Sequence, residues 1–179
     1  MRGSGGAYGT RPSARAALAC LALVAPLTGC TGASQGVQPI AVSSGDAAGS
    51  VSAYRASNGR GPVTANARLN ALAARQALAM AKRGTLSHTL DGSLQTRLKN
   101  GGYAWFVAVE NVSAGYDTFD AVLAGWTTSP GHRANLLERD VSEIGVGAAR
   151  ADDRYGSYWA LILASPEAAA GSGMLAAGG

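Results

Sequence analysis

The chain has 179 residues, a formal net charge of +4 and a hydrophobic share of 47%, which excludes a chain that is disordered throughout. Three of its 15 basic residues, Arg2, Arg11 and Arg15, precede residue 30, and no acidic residue does. The remainder carries 12 basic and 11 acidic residues, so the net charge does not indicate a nucleic-acid-binding surface. No apolar run reaches the ~20 residues of a membrane-spanning helix.

The N-terminal segment, residues 1–29, has the pattern of a bacterial lipoprotein signal peptide. The basic residues precede a short apolar stretch, Ala16 to Pro26, of the length that a signal peptide requires. The stretch leads into Leu27-Thr28-Gly29-Cys30, a cleavage sequence of small residues followed by the cysteine that would receive lipid. The alternative is an ordinary signal peptide cut near Gly29, with Cys30 incidental.

Cysteine usage agrees with a lipid anchor. The chain has two cysteines, and Cys20 lies inside the signal, so the exported chain keeps Cys30 alone and no internal disulfide can form. Lipidation accounts for a single cysteine at the first position of the exported chain. We therefore predict a bacterial lipoprotein that is anchored to a membrane through Cys30 and faces the periplasm or the cell surface.

Composition divides the rest of the chain into three parts. Residues 30–50 are rich in Gly, Ser and Ala and are predicted to be a flexible tether. Residues 51–166 are predicted to form one folded domain, which is large enough to bury a core without disulfides. Residues 167–179 have the composition of the tether and are predicted to be a disordered tail.

The first half of the domain shows helical patterns. A helix is predicted between an N-cap at Asn66 and a stop at Gly84, and a shorter one is predicted to end at Gly59. The expected buried positions of these helices are Val51, Tyr54, Leu69, Leu72, Ala73 and Met80.

Two further helices are predicted nearer the middle of the chain. Phe119, Val122, Leu123 and Trp126 fall at i, i+3, i+4 and i+7, with Asp117 or Thr118 as the cap. Ser129-Pro130 is typical of an N-cap and first helical position. Arg133 and Asn135, in the helix that follows, are expected to stabilise the fold by hydrogen bonding.

Strand signals come later in the chain. Residues 105–109 are apolar and β-prone, and segments 144–149 and 158–163 flank a turn with Asp152, Asp153 and Gly156. Helices followed by antiparallel strands favour the α+β class, with helices packed on a small sheet.

Three residues are candidates for a functional site. His88 and His132 are the only histidines, and Glu110 lies between them at the end of an apolar segment. Two imidazoles and a carboxylate could form one site. From their spacing alone, Glu110 could equally be a capping acid beside two surface histidines.

The residues around these three form a series of motifs in a fixed order across residues 51–163. The motifs are Tyr54-Arg55 with Asn58-Gly59, Ser87-His88 with Asp91-Gly92 and Arg97, Gly102-Tyr103, Glu110-Asn111-Val112, Trp126-x-x-Ser129-Pro130-Gly131-His132-Arg133-x-Asn135-Leu136-Leu137, Ile144-Gly145-Val146-Gly147 and Tyr158-Trp159. Together they resemble the CAP superfamily of cysteine-rich secretory, antigen 5 and pathogenesis-related 1 proteins, and within it the bacterial SCP-like extracellular branch. The block that begins at Trp126 is the most specific of them.

The resemblance implies an α-β-α sandwich whose small, mainly antiparallel sheet lies between helical layers. It also implies a cleft that holds His88, Glu110 and His132 as ligands for zinc or another divalent metal. Eukaryotic relatives have two histidines and two glutamates there, whereas this chain has Ser129 in place of the second glutamate. It also has Ala160-Leu161 where bacterial relatives often carry polar residues, and Glu143 matches no family motif.

Three functions follow from these observations. The first is a binding module for a divalent metal, a small apolar ligand or a lipid, with Tyr103, Trp105, Phe106 and Tyr158 lining the walls. The second is a metal-dependent hydrolase or protease, although the chain has no H-E-x-x-H motif, the predicted domain has no G-x-S-x-G nucleophile elbow, and no catalytic residue is assigned. The third is an inert scaffold for envelope or host partners. We expect a monomer that does not bind nucleic acid.

Overall fold

A computed structural model of the chain describes residues 36–167. Helices and strands alternate in an α+β arrangement, which confirms the predicted class. The elements in chain order are β1 (Gln38–Ile40), α1 (Ser44–Ser57), β2 (Thr64–Ala65), α2 (Ala67–Arg83), α3 (Leu94–Asn100), β3 (Trp105–Ala114), α4 (Phe119–Thr128), α5 (Pro130–Leu136), β4 (Glu143–Arg150) and β5 (Ser157–Pro166).

The strands form one sheet in the order β1-β4-β5-β3, in which β1, β4, β5 and β3 are antiparallel to their neighbours. The short strand β2 pairs with the beginning of β4 in the parallel sense. The strand β3 pairs with β5 along one side, so that Glu110 lies opposite Ile162 and Asn111 opposite Leu161. Because successive side chains of a strand point to opposite faces, these two neighbours enter different helical layers.

Two hydrophobic cores lie on the two faces of the sheet. The helices α2 and α3 cover one face, where Leu69, Met80 and Leu98 pack against alternate residues of β5. The helices α1, α4 and α5 cover the other face, where Trp126 and Trp159 are almost completely buried. This is the α-β-α sandwich that the resemblance implied.

Glycine explains how closely α2 approaches the sheet. A Cβ atom added to Gly145 would collide with the backbone of Leu69, and one added to Gly147 would collide with the backbone of Ala74. The I-G-V-G sequence of β4 therefore brings a helix into backbone contact with the strand. The approach fixes α2, which in turn holds the loop that carries His88.

The local helix signals are confirmed. The Asn66 side chain accepts hydrogen bonds from the first turn of α2, and Gly84 ends that helix with a φ of 59°, in the left-handed region that favours glycine. Thr118, not Asp117, caps α4. Ser129 is the N-cap of α5 and Pro130 its first residue, although the Ser129 side chain makes no capping bond.

The structure moves two predicted boundaries. The predicted tether, residues 30–50, includes β1 and the first half of α1, because Ala47 and Ala48 are buried and small side chains allow that packing. The predicted tail began at residue 167, but the Glu167 N–H donates to the Ala104 carbonyl at 3.1 Å and continues the sheet.

The signal segment 1–29, Cys30 and residues 168–179 lie outside the described residues. Within residues 36–167, none of the helices has both the length and the apolar character needed to cross a membrane.

Candidate functional site

The site lies at the middle of the edge strand β3. Glu110 faces the layer of α2 and α3, which leads to His88, whereas Asn111 faces the layer of α4 and α5, which leads to His132. The two histidines are therefore held at neighbouring residues of β3 from opposite helical layers.

Glu110 is shared between a histidine and an arginine. Its Oε1 lies 2.8 Å from His88 Nδ1, and its Oε2 accepts a hydrogen bond of 2.6 Å from Arg97 Nη2. The side chains of Glu110 and Arg97 are 3% and 1% exposed, while that of His88 is 57% exposed. A buried carboxylate needs such partners, because an unpaired buried charge is costly.

The loop that carries His88 is held at several points. The buried Gln76 side chain of α2 donates to the Ser87 carbonyl and accepts from the Asp91 N–H at 3.2 Å. Arg97 donates to the Gly92 carbonyl at 3.1 Å and approaches the His88 carbonyl at 3.4 Å. The loop is thus fixed to α2 and α3 even though most of it is exposed.

Sequence reasoning did not assign Gln76 or Arg97 to the site. Gln76 does interrupt the apolar face of α2, three residues after Ala73 and four before Met80. A polar residue at a buried helical position is a signal that it has a specific hydrogen-bonding partner.

His132 is held through amides. Asn111 Nδ2 donates to the His132 carbonyl at 3.0 Å, and Asn135 Nδ2 donates to the Glu110 carbonyl at 3.0 Å and to Asn111 Oδ1 at 2.9 Å. Asn135 therefore stabilises the fold as expected, whereas Arg133 is exposed. The buried Arg55 guanidinium anchors the end of α5 by donating to the Leu136 carbonyl at 2.7 Å.

The electrostatics of His132 link it to His88. Partial burial lowers the pKa of His132 below its ordinary value, and the nearby His88 imidazole lowers it further. His132 is therefore mainly neutral near pH 7, and the two rings are near enough to influence each other.

The three predicted ligands differ in whether their donor atoms are free to bind a metal ion. Imidazole suits zinc and similar ions, but both oxygens of Glu110 already serve His88 and Arg97. Among residues 36–167, no group of three or more His, Cys, Asp or Glu side chains is placed to hold a metal ion. The three-ligand set of His88, Glu110 and His132 stays a prediction, and Glu110 is placed as a support for His88.

Glu143 lies in other surroundings. It accepts hydrogen bonds from Asn66 Nδ2 at 3.0 Å and from the Tyr103 hydroxyl at 2.5 Å. Burial, followed by this bond to Glu143, raises the pKa of Tyr103.

The four aromatic residues that we expected in the cleft do not share one wall. Tyr103 and Trp105 line a separate groove of about 490 Å³ with Lys99 and Glu167. Trp105 is five residues from Glu110, roughly 17 Å along the strand. Tyr158 is buried in the core and Phe106 is 73% exposed. The apolar residues beside His88 are instead Leu86 and Leu90, both exposed on its loop.

The chain is similar to known proteins over this domain. A family model described as CAP, the cysteine-rich secretory protein family, matches residues 49–163. Two curated proteins of Bacillus subtilis are also similar, the uncharacterized membrane protein YlbC, 41% identical over 59 residues, and the uncharacterized protein YkwD, 35% identical over 68. These matches cover 33% and 38% of this chain but 17% and 25% of the relatives, so the chain spans well under two thirds of their length.

Solved structures share the fold. An extracellular protein of Bacillus anthracis with an SCP domain aligns with a TM-score of 0.58 and 22% identity, over 66% of this chain and 39% of that one. An outer surface protein of Borrelia burgdorferi aligns with a TM-score of 0.63 and 16% identity, over 73% of this chain and all of that one.

Proposed function

Because this chain belongs to the CAP family of cysteine-rich secretory proteins, we propose that it is an envelope-anchored binding module. Its cleft uses His88 and His132 to bind a divalent cation, such as zinc, or the polar end of a small apolar or lipid ligand. The observation that carries the proposal is the 2.8 Å contact between His88 Nδ1 and the buried Glu110 carboxylate, beside which His88 also lowers the pKa of His132.

The proposed cation site has few protein ligands. A carboxylate that accepts from the first nitrogen of a histidine orients the ring and makes its second nitrogen a better ligand. His88 and His132 would then supply two nitrogen ligands, with water or a bound ligand completing the coordination. Such a site binds more weakly than one with three or four protein ligands, and its open positions suit a ligand with a polar head.

The apolar part of a ligand would contact the loop around His88. Leu86 and Leu90 are 42% and 37% exposed on either side of this histidine. These two side chains would contact the apolar part of the ligand, since ligand sites combine apolar surface with a few polar groups. The groove beside Trp105 is too far from His88 to contact the polar end of the same ligand.

The arrangement gives little support to a serine hydrolase. His88 has the acidic partner that a general base requires, but Ser87 Oγ bonds Thr89 within its own loop. We therefore propose binding and assign no catalytic residue.

Zinc titration by calorimetry at pH 7.5 tests the proposed site. We expect one saturable site of low affinity in the wild type, with binding lost in His88→Ala and in His132→Ala because each removes a ligand. Asp120→Asn, a change of an exposed acid outside the site, is the control and should bind as the wild type does. If the double histidine variant binds zinc like the parent, or if the parent shows no saturable site, the inert scaffold becomes the better explanation.

Export and anchoring are supported by Leu27-Thr28-Gly29-Cys30 and by the descriptions of the two structural relatives as extracellular and outer surface proteins. Cys30→Ser should release the protein from the membrane fraction or block its processing, because the variant cannot accept lipid. Fractionation and gel migration of the two forms measure this. Cys20→Ser is the matched control, since that cysteine lies inside the predicted signal. Equal behaviour of Cys30→Ser and the parent would contradict the lipid anchor.

A further inference from the structure

We propose that Arg97 is a positioning residue of the cleft. Acting through Glu110, it fixes the tautomer and orientation of His88 so that Nδ1 carries the proton and Nε2 is presented to the ligand. The identity of the ligand rests on the proposed function, whereas the tautomer is a property of the protein alone.

The Glu110 carboxylate divides its two oxygens between Arg97 and His88. Arg97 takes Oε2 at 2.6 Å, which leaves Oε1 to His88 at 2.8 Å. A carboxylate paired with a guanidinium accepts hydrogen bonds and has no proton to give. The bond to His88 therefore requires the proton on Nδ1, and the neutral ring then has its free lone pair on Nε2.

Arg97 also contacts the backbone of the loop that carries His88. It donates to the Gly92 carbonyl, and its Nη2 lies 3.4 Å from the His88 carbonyl. One guanidinium thus contacts the loop on which His88 lies as well as the acid that orients the ring. Arg75 of α2 also reaches this loop, through Asp91 at 3.2 Å, but both partners of this ion pair are partly exposed.

A purely structural role explains Arg97 poorly. Buried ion pairs add little stability compared with apolar residues of similar volume. Arg97 Nη1 is buried and has no hydrogen-bond partner among residues 36–167, which adds to the cost of burying this side chain. Orientation of His88 gives a reason for an arginine at this position.

The tautomer can be measured directly, because the chain contains two histidines and their ring nitrogens give a simple spectrum. Full-length protein labelled with 15N at histidine would be studied by long-range proton–nitrogen correlation at pH 8, without metal. We expect His88 to be protonated at Nδ1 in the wild type. Glu110→Gln, which keeps the shape but removes the charge, should populate both tautomers, and Arg97→Lys should do so in part.

Arg75→Met is the matched control, since it removes an arginine of α2 that bonds Asp91 of the same loop and should leave the His88 tautomer unchanged. Arg97→Met should give the same mixture as Glu110→Gln; if it does not fold, Glu110→Gln and Arg97→Lys still decide the question. A wild-type His88 protonated at Nε2 would overturn the proposal. So would a tautomer that is unaffected in both Glu110→Gln and Arg97→Lys, or one that changes as much in Arg75→Met.

Zinc titration of the same samples separates this proposal from the proposed function. Loss of a residue that supports a metal ligand typically weakens binding about 10–100-fold. We expect that loss in Glu110→Gln and Arg97→Lys but not in Arg75→Met. If the parent does not bind zinc, the proposed cation site fails, and the tautomer result alone supports or overturns the role of Arg97. If the parent binds zinc and neither variant weakens binding, Arg97 does not position the ligand.

Discussion

Glu110 and Asn111 are neighbours on one strand, yet they organise the two histidines by different means. Glu110 bonds the His88 ring directly and is itself held by a buried cation. Asn111 bonds the backbone carbonyl of His132 and leaves the ring to be placed by the helix that carries it. The orientation of the His88 ring is therefore determined by a charged hydrogen-bonding partner, and that of the His132 ring by packing.

The surroundings of the two rings agree with this difference. The centroid of the His132 ring lies 6.4 Å from that of Trp126, which is 1% exposed in the core beneath α4 and α5. His88 lies on a loop outside the regular elements. A change in the core should therefore disturb His132 first, and a change of charge should disturb His88 first.

The largest effect should come from Trp126→Ala. Truncating a buried tryptophan typically costs ~3–5 kcal/mol of unfolding free energy, and here it also removes the packing beneath His132. Trp105→Ala is the matched control, because that ring is partly exposed at the end of β3 and should cost less. Denaturant unfolding gives both values. If the two variants lost equal unfolding free energy, the inference that the buried Trp126 supports the packing around His132 would be wrong.

A smaller effect is expected for Asn111→Ala. This removes a buried amide, with its hydrogen bond to the His132 carbonyl and one of the two acceptors of Asn135, which typically costs ~1–3 kcal/mol. The 15N signals of His132 should move more than those of His88. Asn100→Ala, at an exposed position that ends α3, should change stability by less than ~0.5 kcal/mol. A larger 15N shift at His88 than at His132 would contradict the assignment of Asn111 to the support of His132.

Local sequence signals predicted much of the fold because they act over a few residues. Asn66 and Gly84 mark the ends of α2 by capping chemistry, and the stripe at Val122, Leu123 and Trp126 marks the buried face of α4. The beginning of α1 was missed because its Gly, Ser and Ala composition is also that of a linker. Burial of Ala47 and Ala48 against other elements decides the outcome, and composition does not contain that information.

The site was predicted less completely, for a related reason. Glu110, His88 and His132 were identified through the family motifs, since nothing in their spacing brings them together. The sharing of Glu110 with Arg97 depends on how α3 packs on β3, which is a tertiary contact. Tyr158 was expected in the cleft but is buried in the core beneath α2 and α3, because helices cover both faces of the central strand β5. Strand boundaries and faces had to be known before these residues could be placed.

The smallest expected effect tests whether His88 influences the pKa of His132. Burial and the His88 imidazole both lower the pKa of His132, so His88→Ala should raise that pKa while leaving it below the ordinary value. A histidine with a lowered pKa binds fewer protons in the folded than in the unfolded state, so stability should fall as the pH drops through about 6.5. His88→Ala should reduce the contribution of His132 to that fall.

NMR titration of the His132 ring measures the pKa, and Asp120→Asn is the control that should leave it unchanged. A His132 pKa at or above the ordinary value in the wild type would show that its ring is neither buried nor close to His88.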